Sequence, residues 1–511
     1  MQYEVVIGME THVEQNTRSK MFCSCSASFF GAEPNTNVCP TCLGMPGALP
    51  VINRRAVEFC IMVGLALNCK IARHTFWERK SYWYPDLPKG YQISQYQSPL
   101  CYDGYIDVDV RDLSSGNWTE EHYRKRIRIR RAHLEEDTGK LTHAGRASFV
   151  DYNRSGVPLI EIVTEPDIAS ADEAYAYLSA LRDIVRCLGV SSGDMEKGAM
   201  RCEPNMSLRP KGSDTFGTKV EIKNLNSLRA VRDSIAYEIK RQSRALDEGD
   251  QIRQVTLGWD EARGVTVTQR EKEDAHDYRY FPEPDLPPLE IDNAWLEAIK
   301  ARMPELPLAK NDRFMRDFGL SGYDAMLLTR DRATAEYFEQ AVSALAGGSS
   351  AQQVEEARLK SAAKSAANWV TGELFRLMSA AGVGIEDVKV APAQLAGLIQ
   401  LVDNKTININ TARQVFEEMF AGGQDARAIV EAKGLAQVSD EAALSKVVED
   451  ALNANPQQVQ SYLAGNEKLF QFLVGQTMKL TKGKGNPQVL QGLLKAALDK
   501  RRSTPPTLPE S

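Results

Sequence analysis

The sequence lacks a surplus of positive charge: 62 lysines and arginines are outnumbered by 68 acidic residues, for a formal net charge of −6. No global field draws such a chain to nucleic acid or to a membrane surface, so any binding of that kind must come from local patches. It also lacks an unbroken apolar run of about 18 residues, the length a membrane-crossing helix needs. The opening Met1-Gln2-Tyr3-Glu4-Val5-Val6-Ile7-Gly8 has neither the basic start nor the apolar stretch of a secretion signal. These absences predict a cytoplasmic protein without membrane association. Cysteine is scarce, with nine in 511 residues, and an odd, dilute set argues against a disulfide framework. Four motifs are missing: G-x-x-x-x-G-K-S/T, G-x-G-x-x-G after a strand, H-E-x-x-H and G-x-S-x-G. A nucleotide, if used, must therefore rest in a different cradle. What is present, 43% hydrophobic and 25% charged residues, rules out wholesale disorder and suits two to four domains.

Composition divides the chain. Up to residue 292, alternations such as Tyr105-Ile106-Asp107-Val108-Asp109-Val110 and Arg126-Ile127-Arg128-Ile129-Arg130 predict strands, with a few helices such as 171–188. The proline-dense Phe281-Pro282-Glu283-Pro284-Asp285-Leu286-Pro287-Pro288 forbids helix and predicts a boundary. From residue 293 alanine and leucine recur at helical spacing, and the polar Val402-Asp403-Asn404-Lys405-Thr406 predicts a second seam. The expected organisation is α+β: a strand-rich domain over 1–292, a helical domain over 293–403 and a small helical tail domain over 404–502. Residues 503–511 are expected to be disordered.

The clearest local signal is Cys23-Ser24-Cys25 followed, after thirteen residues, by Cys39-Pro40-Thr41-Cys42. Two close thiolate pairs on short turns can complete a tetrahedron around Zn²⁺, and four thiolates leave no open position, so the expected role is structural. The second signal is carboxylates at strand ends. Strand alternation puts Glu10 and His12 on one face, and His133-Leu134-Glu135-Glu136-Asp137 follows a basic strand, while Glu203, Asn205 and Glu221 add oxygen donors suited to Mg²⁺. Each carboxylate alone reads as a solvated strand end; only convergence in space would make a site. His12 is an uncomfortable magnesium ligand, so holding a ligand in place would suit it as well. Arg124 to Arg131 carries six cations in eight positions, which suits phosphate oxygens or, equally, a solvated edge strand. Between Trp77 and Tyr91 aromatics alternate with cations, a mixture fit for unpaired bases or for core packing. Near the C-terminus, Lys479, Lys482 and Lys484 lie in a stretch from Gly475 to Arg502 with seven basic residues and one acidic, the local patch an RNA contact would use.

Seven segments in order carry a resemblance: Gly8-Met9-Glu10-Thr11-His12-Val13-Glu14; the cysteine quartet with Leu43-Gly44-Met45-Pro46-Gly47; Tyr84-Pro85-Asp86-Leu87-Pro88-Lys89-Gly90-Tyr91; His133 to Asp137; Asp151-Tyr152-Asn153-Arg154-Ser155-Gly156 with Val157 to Ile162; Val220-Glu221-Ile222-Lys223-Asn224; and Asp277 to Leu286. From residue 3 to about 500 the chain resembles the B subunits of bacterial aspartyl/glutamyl-tRNA amidotransferases. The resemblance implies a cradle domain with a kinase-like site, in which ATP phosphorylates the side-chain carboxylate of a misacylated tRNA and ammonia then displaces phosphate. It implies Glu10, His12, Glu135, Glu136 and Glu221 as catalytic residues, with Glu10, His12, Glu136 and Glu221 around Mg²⁺. Arg154 and the basic strand would meet the transferring phosphoryl group, and Tyr82, Lys89 and Tyr91 the acceptor end of the tRNA. The implied partners are a glutaminase, which supplies ammonia, and a small third protein, the A and C subunits of a heterotrimer. The competing reading is a zinc-stabilised tRNA-binding module without catalysis of its own.

Overall fold

The computed structural model describes residues 2–112, 121–271, 278–347, 356–436, 441–481 and 487–503. The chain divides into two compact units, the first comprising Met1–Asp312 with Thr329–Arg332 and the second Arg313–Leu328 with Ala333–Ser511. The class is α+β, with strands in the first unit and helices alone among the described residues of the second.

The first unit is built on a nine-stranded sheet whose spatial order is Val265–Glu271, Val255–Asp260, Val220–Lys223, Met200–Pro210, Tyr3–Glu14, Pro158–Thr164, Tyr123–Glu136, Cys101–Val110 and Lys70–Ile71. Neighbours run antiparallel except Val220–Lys223 with Val255–Asp260, which are parallel. Period-2 alternation gives the central strands one apolar face: Ile7, Met9 and Val13, with Ile160, Ile162, Ala132, Leu134, Met200 and Cys202, are all buried in a single core. Four helices belong to that core, Asn293–Lys300 through Leu296 and Ile299 and three others. Arg54–Ala66 is capped by the Asn53 side chain, Ala171–Cys187 by Ser170 with Asp172 and Glu173 in its first turn, and Leu228–Asp247 by Ser227. Close approach of the first helix to the sheet requires glycine at 64, because a β-carbon there would stand 2.4 Å from Cys101 Sγ. The opposite face of the central strands carries the charged residues. A three-stranded sheet of Phe281–Pro282, Glu78–Ser81 and Tyr91–Ser94 supplies further side chains to it.

After the proline-rich stretch near residue 285 a last short strand, Leu289–Glu290, pairs with His74–Thr75, and helix Asn293–Lys300 follows, tied back within the first unit by Trp295 and Arg302 to Glu58. In the second unit one core runs from Phe314 through Val430 and includes Val415, Phe416 and Met419 of helix Ile409–Gly422. The polar segment near residue 403 is the end of helix Pro392–Asp403, closed by Asn404, and lies inside that core's span. Packing separates later, where Leu444, Val448, Leu452, Leu473, Leu490, Leu494 and Leu498 form their own cluster. The expectation for 503–511 falls almost wholly outside the described residues.

Candidate functional site

Antiparallel partners directly opposite one another point to the same side of a sheet. His12 stands opposite Glu161 on one neighbour and Arg201 on the other, Glu10 stands opposite Glu203, and Glu161 in turn stands opposite His133. Glu135 lies two residues beyond His133 on the same strand face. Five strands thus line up Glu135 and His133, Glu161, Glu10 and His12, Glu203, and Glu221 with Lys223 across one face.

The side chains converge. His12 Nε2 is 3.5 Å from Glu161, 3.8 Å from Glu10 and 4.0 Å from Glu135. Burial opposes a charged imidazole, but the hydrogen bond and charge of Glu161, with Glu10 and Glu135, push His12 up to about 9. Burial together with the Glu161 charge raises Glu10, whereas His133 and His12 overcome burial to hold Glu161 well below the carboxylate range. Glu135, almost wholly enclosed, accepts from Ser94 Oγ at 2.7 Å and Gln92 Nε2 at 3.1 Å; Lys80 and His133 lower it against burial. The Lys80 ammonium is in turn favoured by Glu135 and Glu161 despite desolvation. The site holds charge of both signs but draws protons onto its imidazole, the behaviour of a place that prefers a cation.

Ligand atoms of Glu10, His12 and Glu161 lie within 4.8 Å of one another, as do those of His133, Glu135 and Glu161. The donor set fits a divalent cation; magnesium would take carboxylate oxygens, leaving the imidazole to orient them. The four cysteine sulfurs also lie within 4.8 Å of one another. Hydrogen bonding from the Cys23 thiol, the Cys39 N–H and the nearby Lys20 charge hold Cys42 well below the usual thiol range, while Cys23 is raised. Four sulfurs of which one already favours the thiolate fit a tetrahedral zinc.

The expected site residues do not all meet. Glu10, His12 and Glu135 do. Glu136, next in the strand, points away: it is bound by Lys89 and accepts the Ile93 N–H at 3.0 Å, lining a separate cavity of about 460 Å³ with Lys89, Tyr91 and Arg79. Adjacent strand residues face opposite sides, so Glu135 and Glu136 cannot both reach one ion from a regular strand. Glu221 sits beyond Glu203, accepting from Thr256 Oγ1 at 2.9 Å, with Lys223 Nζ 2.7 Å from Glu203 and 3.5 Å from Glu221. Arg154 donates to the Thr138 and Gly139 carbonyls, both at 2.9 Å, and fastens the turn after the strand, away from the cluster. Tyr82 stacks on Tyr84 in an exposed aromatic loop; the Tyr91 ring lies under Arg79 at 4.2 Å. The basic strand is laced to acids: Arg126 to Asp107, Arg128 to Asp167 and Arg130 to Glu165, each through two hydrogen bonds. These arginines are exposed and paired, but the strand is not an edge strand, since it runs between Pro158–Thr164 and Cys101–Val110. Lys479 is exposed in the last turn of helix Leu469–Leu480; Lys482 and Lys484 lie outside the described residues.

Glu161, His133 and Lys80 were not among the expected site residues. The signal for Glu161 was a single acid inside Leu159-Ile160-Glu161-Ile162-Val163, where a buried strand otherwise offers only apolar side chains.

Residues 5–297 match the family described as the GatB/GatE catalytic domain, and residues 352–498 the family described as the GatB domain. The B subunit of the aspartyl/glutamyl-tRNA(Asn/Gln) amidotransferase of Caldicellulosiruptor saccharolyticus is 50% identical over 505 residues, covering 98% of this chain and 100% of that protein. The proteins of the same description from Thermodesulfovibrio yellowstonii and Moorella thermoacetica are each 50% identical, over 495 and 502 residues, covering 97% and 98% of this chain and 99% and 100% of their own. No helix among the described residues is long and apolar enough to cross a membrane.

Proposed function

The chain belongs to the family of B subunits of aspartyl/glutamyl-tRNA(Asn/Gln) amidotransferases, and from that premise we propose that its polar sheet face carries out the ATP-dependent activation of a misacylated tRNA. The observation that carries the reading is the convergence of Glu10, His12, Glu135 and Glu161 from three strands onto one side of the sheet. A carboxylate on Asp-tRNA(Asn) or Glu-tRNA(Gln) resists attack by ammonia because it is already an anion. Its oxygen attacks the γ-phosphorus of ATP, ADP leaves, and the resulting acyl phosphate has a good leaving group. The lone pair of ammonia then attacks the acyl carbon, the C–O bond to phosphate breaks, and the surplus proton leaves with phosphate to give Asn-tRNA(Asn) or Gln-tRNA(Gln).

Glu10 and Glu161 would hold Mg²⁺, with His12 between them to fix their orientation. When bound, the cation supplies neutralisation of phosphate charge in the loose transition state of phosphoryl transfer. Lys80, whose ammonium is favoured by the charges of Glu135 and Glu161 and stands 5.0 Å from the centre of the Tyr278 ring, offers positive charge to the substrate's anionic oxygens. The thiolate quartet would hold a structural zinc, and a glutaminase with a small third protein, the A and C subunits, would complete the enzyme and deliver ammonia. The helical tail, through Lys479, Lys482 and Lys484, would grip the tRNA by its phosphates. The test is amidation of misacylated tRNA by the reconstituted complex with ATP and with ammonium supplied directly. Loss of amidation in Glu10→Gln and Glu161→Gln, with glutaminase activity intact, is expected; parent rates in both would overturn the reading.

A further inference from the structure

Lys20 is 1% exposed, an unusual place for an ammonium. Among the described residues no carboxylate oxygen comes within 4.0 Å of its Nζ. The acid that shares its cavity, Glu136, is already bound by Lys89. Lys20 Nζ instead donates to Cys42 Sγ at 3.8 Å and to the Tyr152 carbonyl at 3.2 Å. A buried charge without an opposite charge is strongly disfavoured, so a fully enclosed lysine facing a sulfur needs that sulfur to be negative. Four thiolates around one Zn²⁺ leave the assembly net negative, which is the counter-charge Lys20 otherwise lacks.

We propose that Lys20 is the built-in counter-ion of the zinc tetrathiolate: a positioning residue whose fixed positive charge holds Cys42 as a ligand and slows loss of the metal. The role rests on the zinc reading above and adds to it a residue outside the cysteine set. The backbone explains why this lysine cannot swing away. Its N–H donates to the Cys25 carbonyl at 3.0 Å, its carbonyl accepts from Asn53 Nδ2 at 3.2 Å, and Met21 N–H donates to the Gly156 carbonyl at 2.7 Å. The stem is thus pinned between the first cysteine pair and the Tyr152–Gly156 segment.

The test measures the rate at which the full-length protein surrenders zinc to a chromogenic chelator at one fixed neutral pH, for the parent and for Lys20→Arg, Lys20→Gln and Lys20→Met. Far-UV circular dichroism of each zinc-loaded protein shows that it is folded. Zinc transfer about 10–100-fold faster in the Gln and Met proteins, with the Arg protein close to the parent, is the expected result, the scale being that of lost partners around metal ligands. Equal rates in all four proteins overturn the proposal. So does an Arg protein as leaky as the Met protein, since packing and not charge would then be responsible. If the Met protein fails to fold, the Arg and Gln pair gives the same decision. A parent that binds no zinc overturns the zinc reading itself, and with it the role of Lys20, while zinc retained equally without the lysine's charge overturns only the latter.

Discussion

Replacing Glu161 by Gln keeps the shape of a side chain that is about 5% exposed and removes its charge. The imidazole nitrogen of His12 marks where positive charge sits in this face, 3.5 Å from a Glu161 oxygen. A unit charge at that separation feels about 5 kcal/mol from the carboxylate at an effective dielectric constant near 20. Glu10 and Glu135 remain nearby and solvent relaxes into the gap, so the net loss should be about 3–4 kcal/mol, the scale measured when one preorganised electrostatic group is taken from an active site. That corresponds to a fall of about 10²–10³ in the rate of ATP-dependent amidation of misacylated tRNA, assayed in the assembled complex with ammonium added directly. Arg126→Gln is the control, because its guanidinium is committed to Asp107 and stands over the Tyr105 ring at 3.8 Å on an exposed part of the sheet. A Glu161→Gln protein that amidates within about threefold of the parent, or an Arg126→Gln protein that loses as much as Glu161→Gln, would refute the electrostatic argument.

Gly64→Ala should destabilise the first unit by about 1–3 kcal/mol, seen as a lower denaturation midpoint, since its new methyl meets Cys101 Sγ in a closed core. Burial works against the Glu58 carboxylate, but hydrogen bonds from Trp295, Arg302 and Arg55 draw it down to about 2. A depressed folded value means that its contribution is present above about pH 4.5 and fades as pH falls toward 2. The stability difference between parent and Glu58→Gln, followed by urea unfolding, should therefore shrink across that window; a difference independent of pH would contradict the assignment. Cys39→Ser/Cys42→Ser should bind no structural zinc by metal analysis, and equal zinc in variant and parent would exclude the quartet. Deleting the chain from residue 441 onward, which begins helix Glu441–Ala454, should weaken tRNA binding and flatten its salt dependence while leaving ATP binding unchanged. Unaltered tRNA affinity at physiological salt would remove the tail from the interface.

The alternation of apolar and polar residues was legible in the sequence, and with it the strands, the polar side of Glu10 and His12, and the cysteine quartet. Register was not. Glu161 reads locally as one acid in an apolar strand, and only its placement opposite His12 and His133 gives it partners. The pairing of the basic strand was hidden for the same reason, because Asp107, Asp167 and Glu165 come from other segments and no local pattern reveals a cation already paired. Glu135 and Glu136 look like one acidic pair in sequence and serve two sides of the sheet in space. Near residue 403, polar residues that mark a helix end resemble those of a linker; what distinguishes them is the apolar stripe of Ile409–Gly422, which returns to the same core.

Antiparallel register also explains why this polar face tolerates so many charges. Strand pairing fixes both ends of the arrangement: the apolar residues Met9, Val13, Ile160 and Ile162 are buried in the core on one side, so Glu10, His12 and Glu161 have no choice but the other. A one-residue slip of Tyr3–Glu14 against Pro158–Thr164 would turn Glu10 and His12 into that core and expose Met9 and Val13. The cost of that exchange exceeds the cost of like charges facing one another in a solvent-reached groove, where His12 and Lys80 already temper the repulsion. The hydrophobic core thus holds the acids together against their own repulsion, and a bound cation would relieve it. Cation binding should consequently stiffen these central strands more than the edge strands Lys70–Ile71 and Val265–Glu271, which hydrogen exchange with and without Mg²⁺ can read strand by strand. Equal protection gained at the centre and at the edges would mean that the ion binds elsewhere.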